Sequence, residues 1–197
     1  MIDYIKGTVA ELTPAYVVIE TAGVGYLINI TLPTYSLLGN QPNAKLFVYE
    51  VIREDAHSLY GFLQQSERQL FLLLISVSGI GANTARVIMS SFTANEIQEM
   101  IASGNVSALN SIKGIGIKTA QRIILDLKDK IVKGVAGFDE LAIVSSPSNS
   151  EEKEGAIAAL VMLGFVQATS QKVVERILKE QPTLKVEQLI KIALKML

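Results

Sequence analysis

The spacing of apolar positions along this chain changes twice. Up to about residue 63 they fall in short runs rich in β-branched and aromatic residues, the pattern of strands. Residues 2–11 read as one strand and Tyr16-Val17-Val18-Ile19-Glu20-Thr21 as a second; an Ala22-Gly23 turn sends 24–32 back as a third. Residues 46–53 and 56–62 form a fourth and a fifth, joined by the polar pair Glu54-Asp55. Five short strands without a long helix predict a small closed barrel, because closure removes the edges that a flat sheet would expose. An OB-type barrel is the first choice and an SH3-like barrel the second.

Near Gln64 the period lengthens to that of helices. Ser66-Glu67-Arg68-Gln69 opens the first of them, with Ser66 as its cap and Leu70, Phe71, Leu74 and Ile75 on its buried face. Helical periodicity runs on to about Gly134. The stretch Val144-Ser145-Ser146-Pro147-Ser148-Asn149-Ser150 is polar and aperiodic, as a linker is. Residues 151–164, 169–180 and 186–197 then predict three short amphipathic helices, with Gly164 as a natural C-cap and Pro182 separating the last two. The expected fold class is multidomain α+β: a barrel over 1–63, an all-α domain over 64–141, a flexible linker over 142–150 and a three-helix domain over 151–197.

Self-comparison gives the sharpest motif. The eleven residues 76–86, Ser-Val-Ser-Gly-Ile-Gly-Ala-Asn-Thr-Ala-Arg, align without gaps on 111–121, Ser-Ile-Lys-Gly-Ile-Gly-Ile-Lys-Thr-Ala-Gln, at an offset of 35 residues and with six identities. A glycine between helices permits positive φ and a tight reversal. The isoleucine between the glycines can anchor the turn in a core, and the second glycine leaves the backbone open to close approach. A helix starts there, so unpaired N–H groups and the positive end of its dipole face outward, which suits a phosphate. One such turn reads equally well as a plain helix connection. Two in matched context, with Lys118 and Arg122 one helical turn apart behind the second, point to DNA held by its backbone and not read by sequence.

Net charge is only −1, but its distribution supports this. Residues 113–133 carry six basic side chains against two acidic ones, and residues 1–63 carry three against six. There is no cysteine, which excludes disulfides and thiolate chemistry and fits a reducing cytosol. No apolar run approaches the roughly 20 residues of a membrane span, and the N-terminus lacks the features of a signal peptide. Gly114–Thr119 departs from a nucleotide-binding loop because Ile117 stands between Gly116 and Lys118. His57, the single histidine, leaves no His-based metal cluster or catalytic triad and reads as a polar strand residue. Glu54 and Asp55 suit either a metal-dependent nuclease or, on the simpler reading, a polar hairpin turn.

Barrel, twin turns, linker and small helical domain follow one another in an order similar to that of the RuvA family of bacterial Holliday-junction proteins. Gly23-Val24-Gly25-Tyr26, Arg53-Glu54-Asp55-Ala56, Leu59-Tyr60-Gly61-Phe62, both Gly-Ile-Gly segments and Ala158-Ala159-Leu160-Val161-Met162-Leu163-Gly164-Phe165 carry the resemblance, which spans the chain. It implies an N-terminal OB-fold, a tandem helix-hairpin-helix domain and a C-terminal UBA-like three-helix domain. It further implies a non-catalytic subunit that binds four-way junction DNA as a homotetramer or octamer. Such a subunit recruits the hexameric ATPase RuvB for branch migration in recombination, DNA repair and the SOS response, and RuvC is a further partner. This chain would bind no metal or cofactor, ATP being used by the motor, and would be cytoplasmic.

The DNA contacts are expected from Ser78, Gly79, Ile80, Gly81 and Asn83 in the first motif and from Lys113, Gly114, Ile115, Gly116, Lys118, Thr119 and Arg122 in the second. The resemblance also gives Glu54 and Asp55 a role as an acidic pin near the junction centre, and places the RuvB contact in an apolar groove around Leu160, Leu163 and Phe165. Asn83 departs from the family, which commonly has a basic residue there; the second motif is therefore expected to carry more of the charge. Two alternatives remain open at this point: a DNA-binding accessory subunit of a repair nuclease, and an interaction module whose glycines only turn helices.

Overall fold

Alternation sorts the side chains of the first five strands to the two sides of a barrel. The strands are β1 (Tyr4–Leu12), β2 (Tyr16–Thr21), β3 (Val24–Asn29), β4 (Asn43–Ile52) and β5 (His57–Phe62). Ile5, Val17, Ile19, Ile28, Leu46, Val48 and Leu59 point inward and form its core. The structure, a computed structural model, describes residues 1–39, 41–132, 150–181 and 184–196. Strand order is β1-β2-β3-β5-β4, closed by pairing of β4 with β1. All pairs are antiparallel except β3 with β5, which run parallel through Ile28↔Leu59 and Asn29↔Tyr60. This is the OB-type barrel; the SH3-like alternative falls away.

One barrel element departs from expectation. Strand β3 ends at Asn29, three residues short of Leu32, and a helix, α1 (Leu32–Leu38), follows. Thr31 caps it, its hydroxyl accepting from the Thr34 N–H at 3.3 Å, and Pro33 sits in the first turn, where a missing N–H costs nothing. Leu38 at its far end is buried in the barrel core.

The helical region begins with α2 (Gln65–Ser76), capped at Gln64 instead of Ser66: the Gln64 N–H donates to Glu67 Oε2 at 3.0 Å. Ser66 therefore lies inside the first turn. Phe71 on α2 packs against three rings of the barrel, with centroids 5.7 Å from Tyr49, 5.4 Å from Tyr60 and 5.0 Å from Phe62. Helices α3 (Ala82–Ser91), α4 (Ala94–Ser103), α5 (Val106–Asn110) and α6 (Ile117–Val132) complete the region. Their buried side chains, Ile88, Ile97, Ile101, Leu109, Ile123 and Leu127 among them, form one cluster with Tyr60 and Phe62 of β5. Barrel and helices thus share a core within one compact unit, Met1–Leu141.

The second unit, Ala142–Leu197, is built from α7 (Ser150–Met162), α8 (Gln167–Glu180) and α9 (Val186–Met196). Ala156, Leu160, Val174, Ile177, Leu189 and Ala193 are its core. Gly164, at φ 97°, ends α7: its N–H reaches the Val161 carbonyl at 3.0 Å, and that of Phe165 reaches Leu160 at 3.1 Å. These are the two bonds of a Schellman ending. The linker expected over 142–150 lies outside the described residues except for Ser150, and Pro182 lies outside them too. Among the described residues no helix is long and apolar enough to cross a membrane.

Two consequences are measurable. Phe71→Ala removes the side chain on which three barrel rings converge, and is expected to destabilise the first unit by about 3–5 kcal/mol in urea unfolding; a loss below about 1 kcal/mol would contradict a shared core. Glu50 lies on β4, paired with Leu59 of β5. It accepts from the Ile2 N–H at 2.9 Å, which holds its carboxyl below the usual carboxylate range despite partial burial, with the His57 ring at 3.2 Å contributing less. A carboxyl lowered in the folded state stabilises fully above its unfolded pKa and loses that contribution as pH falls through the lower folded value. Glu50→Gln is therefore expected to be less stable than the parent at neutral pH and to converge with it in acid, as followed by thermal melting; a constant gap across this range would refute the assignment.

Candidate nucleic-acid interface

The two Gly-Ile-Gly segments fold into the same turn, bond for bond. Gly79 sits at φ 93° and Gly114 at φ 90°, a left-handed conformation that a side chain would strain. The Ile80 N–H donates to the Val77 carbonyl at 3.0 Å, and the Ile115 N–H to the Ile112 carbonyl at 3.0 Å. Both isoleucines are buried in the shared core, Ile80 at 5% exposure and Ile115 at 4%. The first helical bonds also match, from the Ala85 N–H to the Gly81 carbonyl and from the Ala120 N–H to the Gly116 carbonyl, each 2.9 Å. The amides between turn and first bond have no helical acceptor. At the start of α3 the cap residue is Gly81, and no side chain caps it.

Gly81 and Gly116 differ from Gly79 and Gly114 in an informative way. Neither is in a positive-φ conformation. A Cβ added at either would meet no atom within 4 Å. The fold itself gives no reason for glycine at these two positions. The space a side chain would fill opens outward beside free N–H groups, the arrangement an approaching phosphate requires.

Other expected contacts divide between the two turns. Ser78, Lys113 and Lys118 are exposed, and Thr119 is half-buried. The carboxamide Oδ1 of Asn83 accepts from the Tyr60 hydroxyl at 3.2 Å, so this side chain is engaged with the barrel. The Arg122 guanidinium donates to the Ser78 carbonyl at 3.4 Å and thereby brings a cation from α6 to the first turn. The first turn has no lysine of its own, and this placement partly offsets the difference between the copies.

Glu54 and Asp55 form the tip of the β4–β5 hairpin. The turn is closed by the Arg53 N–H donating to the Ala56 carbonyl at 2.8 Å, and both carboxylates are exposed. Among the described residues no group of three or more His, Cys, Asp or Glu side chains is arranged to hold a metal ion. In the second unit, Leu160 is fully buried and so cannot contribute to a surface groove; the 3.6-residue period places it inward with Ala156. Phe165 packs partly against the same core. Leu163 is exposed, and around the Schellman ending it is joined by Met162 at 89% exposure and Val166 at 69%, which sequence reasoning did not single out.

Comparison with known proteins bears on all three regions. A family model described as the RuvA N terminal domain matches residues 1–61, one described as a SAM-like helix-hairpin-helix tandem matches 71–129, and one described as the RuvA C-terminal domain matches 153–197. Proteins named Holliday junction branch migration complex subunit RuvA are similar over their full length. That of Parabacteroides distasonis is 55% identical over 199 residues, that of Bacteroides fragilis 53% over 201, and that of Christiangramia forsetii 50% over 197, each comparison covering 100% of both chains. Half or more of the residues are identical from the barrel through the twin turns to the last helix, and the chain belongs to the RuvA family.

Proposed function

We propose that this chain is the junction-binding subunit of a branch migration complex, a protein that grips four-way DNA without reading its sequence and carries out no chemistry itself. The observation that carries this reading is the pair of matched turns with open glycines at 81 and 116, in a chain whose full-length relatives are named for that role. Full-length identity of this kind does not favour a nuclease accessory subunit.

In this reading the N–H groups that follow Ile80 and Ile115 donate to phosphate oxygens, and the two isoleucines hold the turns from inside. Lys113, Lys118 and Arg122 supply charge, with Ser78 and Thr119 as polar neighbours. Backbone amides see phosphates alike on every sequence, so affinity follows the shape of the DNA. Selectivity for a junction comes from the hairpin tip. In a homotetramer the Glu54 and Asp55 pairs of four subunits gather at the centre, where negative side chains repel a continuous duplex and steer the strands into separate arms. The exposed apolar surface of Met162, Leu163 and Val166 docks the RuvB motor, which uses the ATP; RuvC is a further partner, and the complex acts in the cytoplasm.

Electrophoretic mobility shift at several salt concentrations tests this reading. The protein is expected to bind a four-way junction tightly and a duplex of one arm far more weakly. Equal affinity per base pair would overturn it. Lys118→Ala is expected to reduce the slope of log affinity against log salt by about one; an unchanged slope would remove Lys118 from the contact set. Gly81→Ala and Gly116→Ala meet no protein atom, so each is expected to melt at the parent temperature yet bind junctions about tenfold or more weakly, the worth of one charge-assisted hydrogen bond. Retained binding would mean that these glycines face no phosphate. Replacing Glu54 with Gln and Asp55 with Asn is expected to strengthen duplex binding relative to junction binding, whereas an unaltered ratio would deny the tip its role.

A further inference from the structure

Helix α3, which begins at the first turn, is tied to the barrel by polar contacts from four separate places in the chain. The Tyr60 hydroxyl on β5 donates to Asn83 Oδ1 at 3.2 Å. The Arg86 guanidinium donates to the Ala15 carbonyl, between β1 and β2, at 3.1 Å and to Oδ1 of Asn29, the last residue of β3, at 3.0 Å. Asn29 in turn donates through Nδ2 to the Leu59 carbonyl of β5 at 3.0 Å, across the parallel seam where only two residue pairs join the strands. At the far end of α3, Ser90 Oγ accepts from the Leu32 N–H at 3.3 Å.

These contacts lie between two parts of the molecule that the proposed function assigns to DNA. Strand β5 leads directly from the acidic tip, and α3 leads directly from the first phosphate-binding turn. Apolar contacts in the shared core hold the two together but have no direction of their own. A planar guanidinium bonded to two acceptors does have direction, and it fixes the rotation of α3 against the β3–β5 seam. Arg86 has no basic counterpart in the second copy, where Gln121 occupies the aligned position. A phosphate ligand common to both turns would be expected in both copies. A part that fits only the copy next to the barrel would not.

We infer that Arg86 and Tyr60 are positioning residues that set the acidic tip against the first turn and thereby determine the preference for junction over duplex, without touching DNA. The inference rests on the function proposed above. It predicts a separation of two quantities that a phosphate contact would change together: the junction-to-duplex affinity ratio depends on Arg86, and the salt slope of binding does not.

The test uses the full-length chain as parent, Tyr60→Phe, Arg86→Met and Arg86→Lys, each titrated onto a labelled four-way junction and onto a duplex of one arm across a range of salt. Arg86→Met is expected to lower the junction-to-duplex ratio by about tenfold, the scale of one lost charge-assisted hydrogen bond, with its salt slope on duplex unchanged. Tyr60→Phe is expected to lower the ratio less. Arg86→Lys, a point charge that can reach one acceptor, falls between Met and the parent. A salt slope reduced by about one in Arg86→Met would mark a phosphate contact and overturn the inference. So would a parent-like ratio in both Arg86→Met and Tyr60→Phe. Should Arg86→Met fail to fold, Tyr60→Phe, which removes a single oxygen, decides by the same ratio. A parent protein without junction preference overturns the proposed function itself and this inference with it; a parent preference that the variants keep overturns the inference alone.

Discussion

A helix starts with N–H groups that its own carbonyls cannot reach, and the functional surface of this protein follows from how it treats that constraint at two places. At α3 no side chain caps the start, and α6 begins with the same turn and the same first helical bond. A buried isoleucine pulls each turn into the core, a positive-φ glycine lets the chain reverse, and a second glycine keeps the approach clear. Each part has a separate physical reason. At α1 and α4 the chain satisfies the same groups locally: Thr31 accepts from an early N–H of α1, and Thr93 and Glu96 form a capping box at α4.

A bare helix start binds phosphate anywhere, so binding alone gives no selectivity. In the proposed function the barrel supplies what the turns lack. Its β4–β5 hairpin carries two exposed carboxylates at the tip, and the rings of Tyr49, Tyr60 and Phe62 on its strands pack against Phe71 of α2. In that reading, attraction and repulsion for the same polyanion are mounted on one continuous core. The polar contacts of Arg86, Asn29, Tyr60 and Asn83 lie where the two devices meet.

Much of this was legible in the sequence, for reasons that separate local from long-range information. Strands β1, β2, β4 and β5 and the barrel class follow from short β-branched runs closed by turn residues. The turns follow from a repeat visible without any structure, and the structure places Ile80 and Ile115 in the core, as their position between two glycines implied. Helix α1 escaped because seven residues of mixed polarity show no clear period, although Thr31 and Pro33 together were a cap signal. Side-chain partners were not legible. Nothing near Asn83 in the chain points to Tyr60, and nothing near Arg122 points to the carbonyl of Ser78 across 44 residues. Leu160 and Leu163 sit three residues apart in one apolar run; the helical period puts Leu160 inward with Ala156, while Leu163 lies past the end of α7 and is exposed.

The central claim is that the free amides at the two turns receive phosphate. Hydrogen–deuterium exchange of the full-length protein, with and without a saturating four-way junction, reads those amides directly. The account predicts that exchange slows by about tenfold or more at residues 81–84 and at residues 116–119 together, since each amide gains an acceptor that it lacks in the free protein. Unchanged exchange at both turns in a protein shown to hold its junction would contradict it.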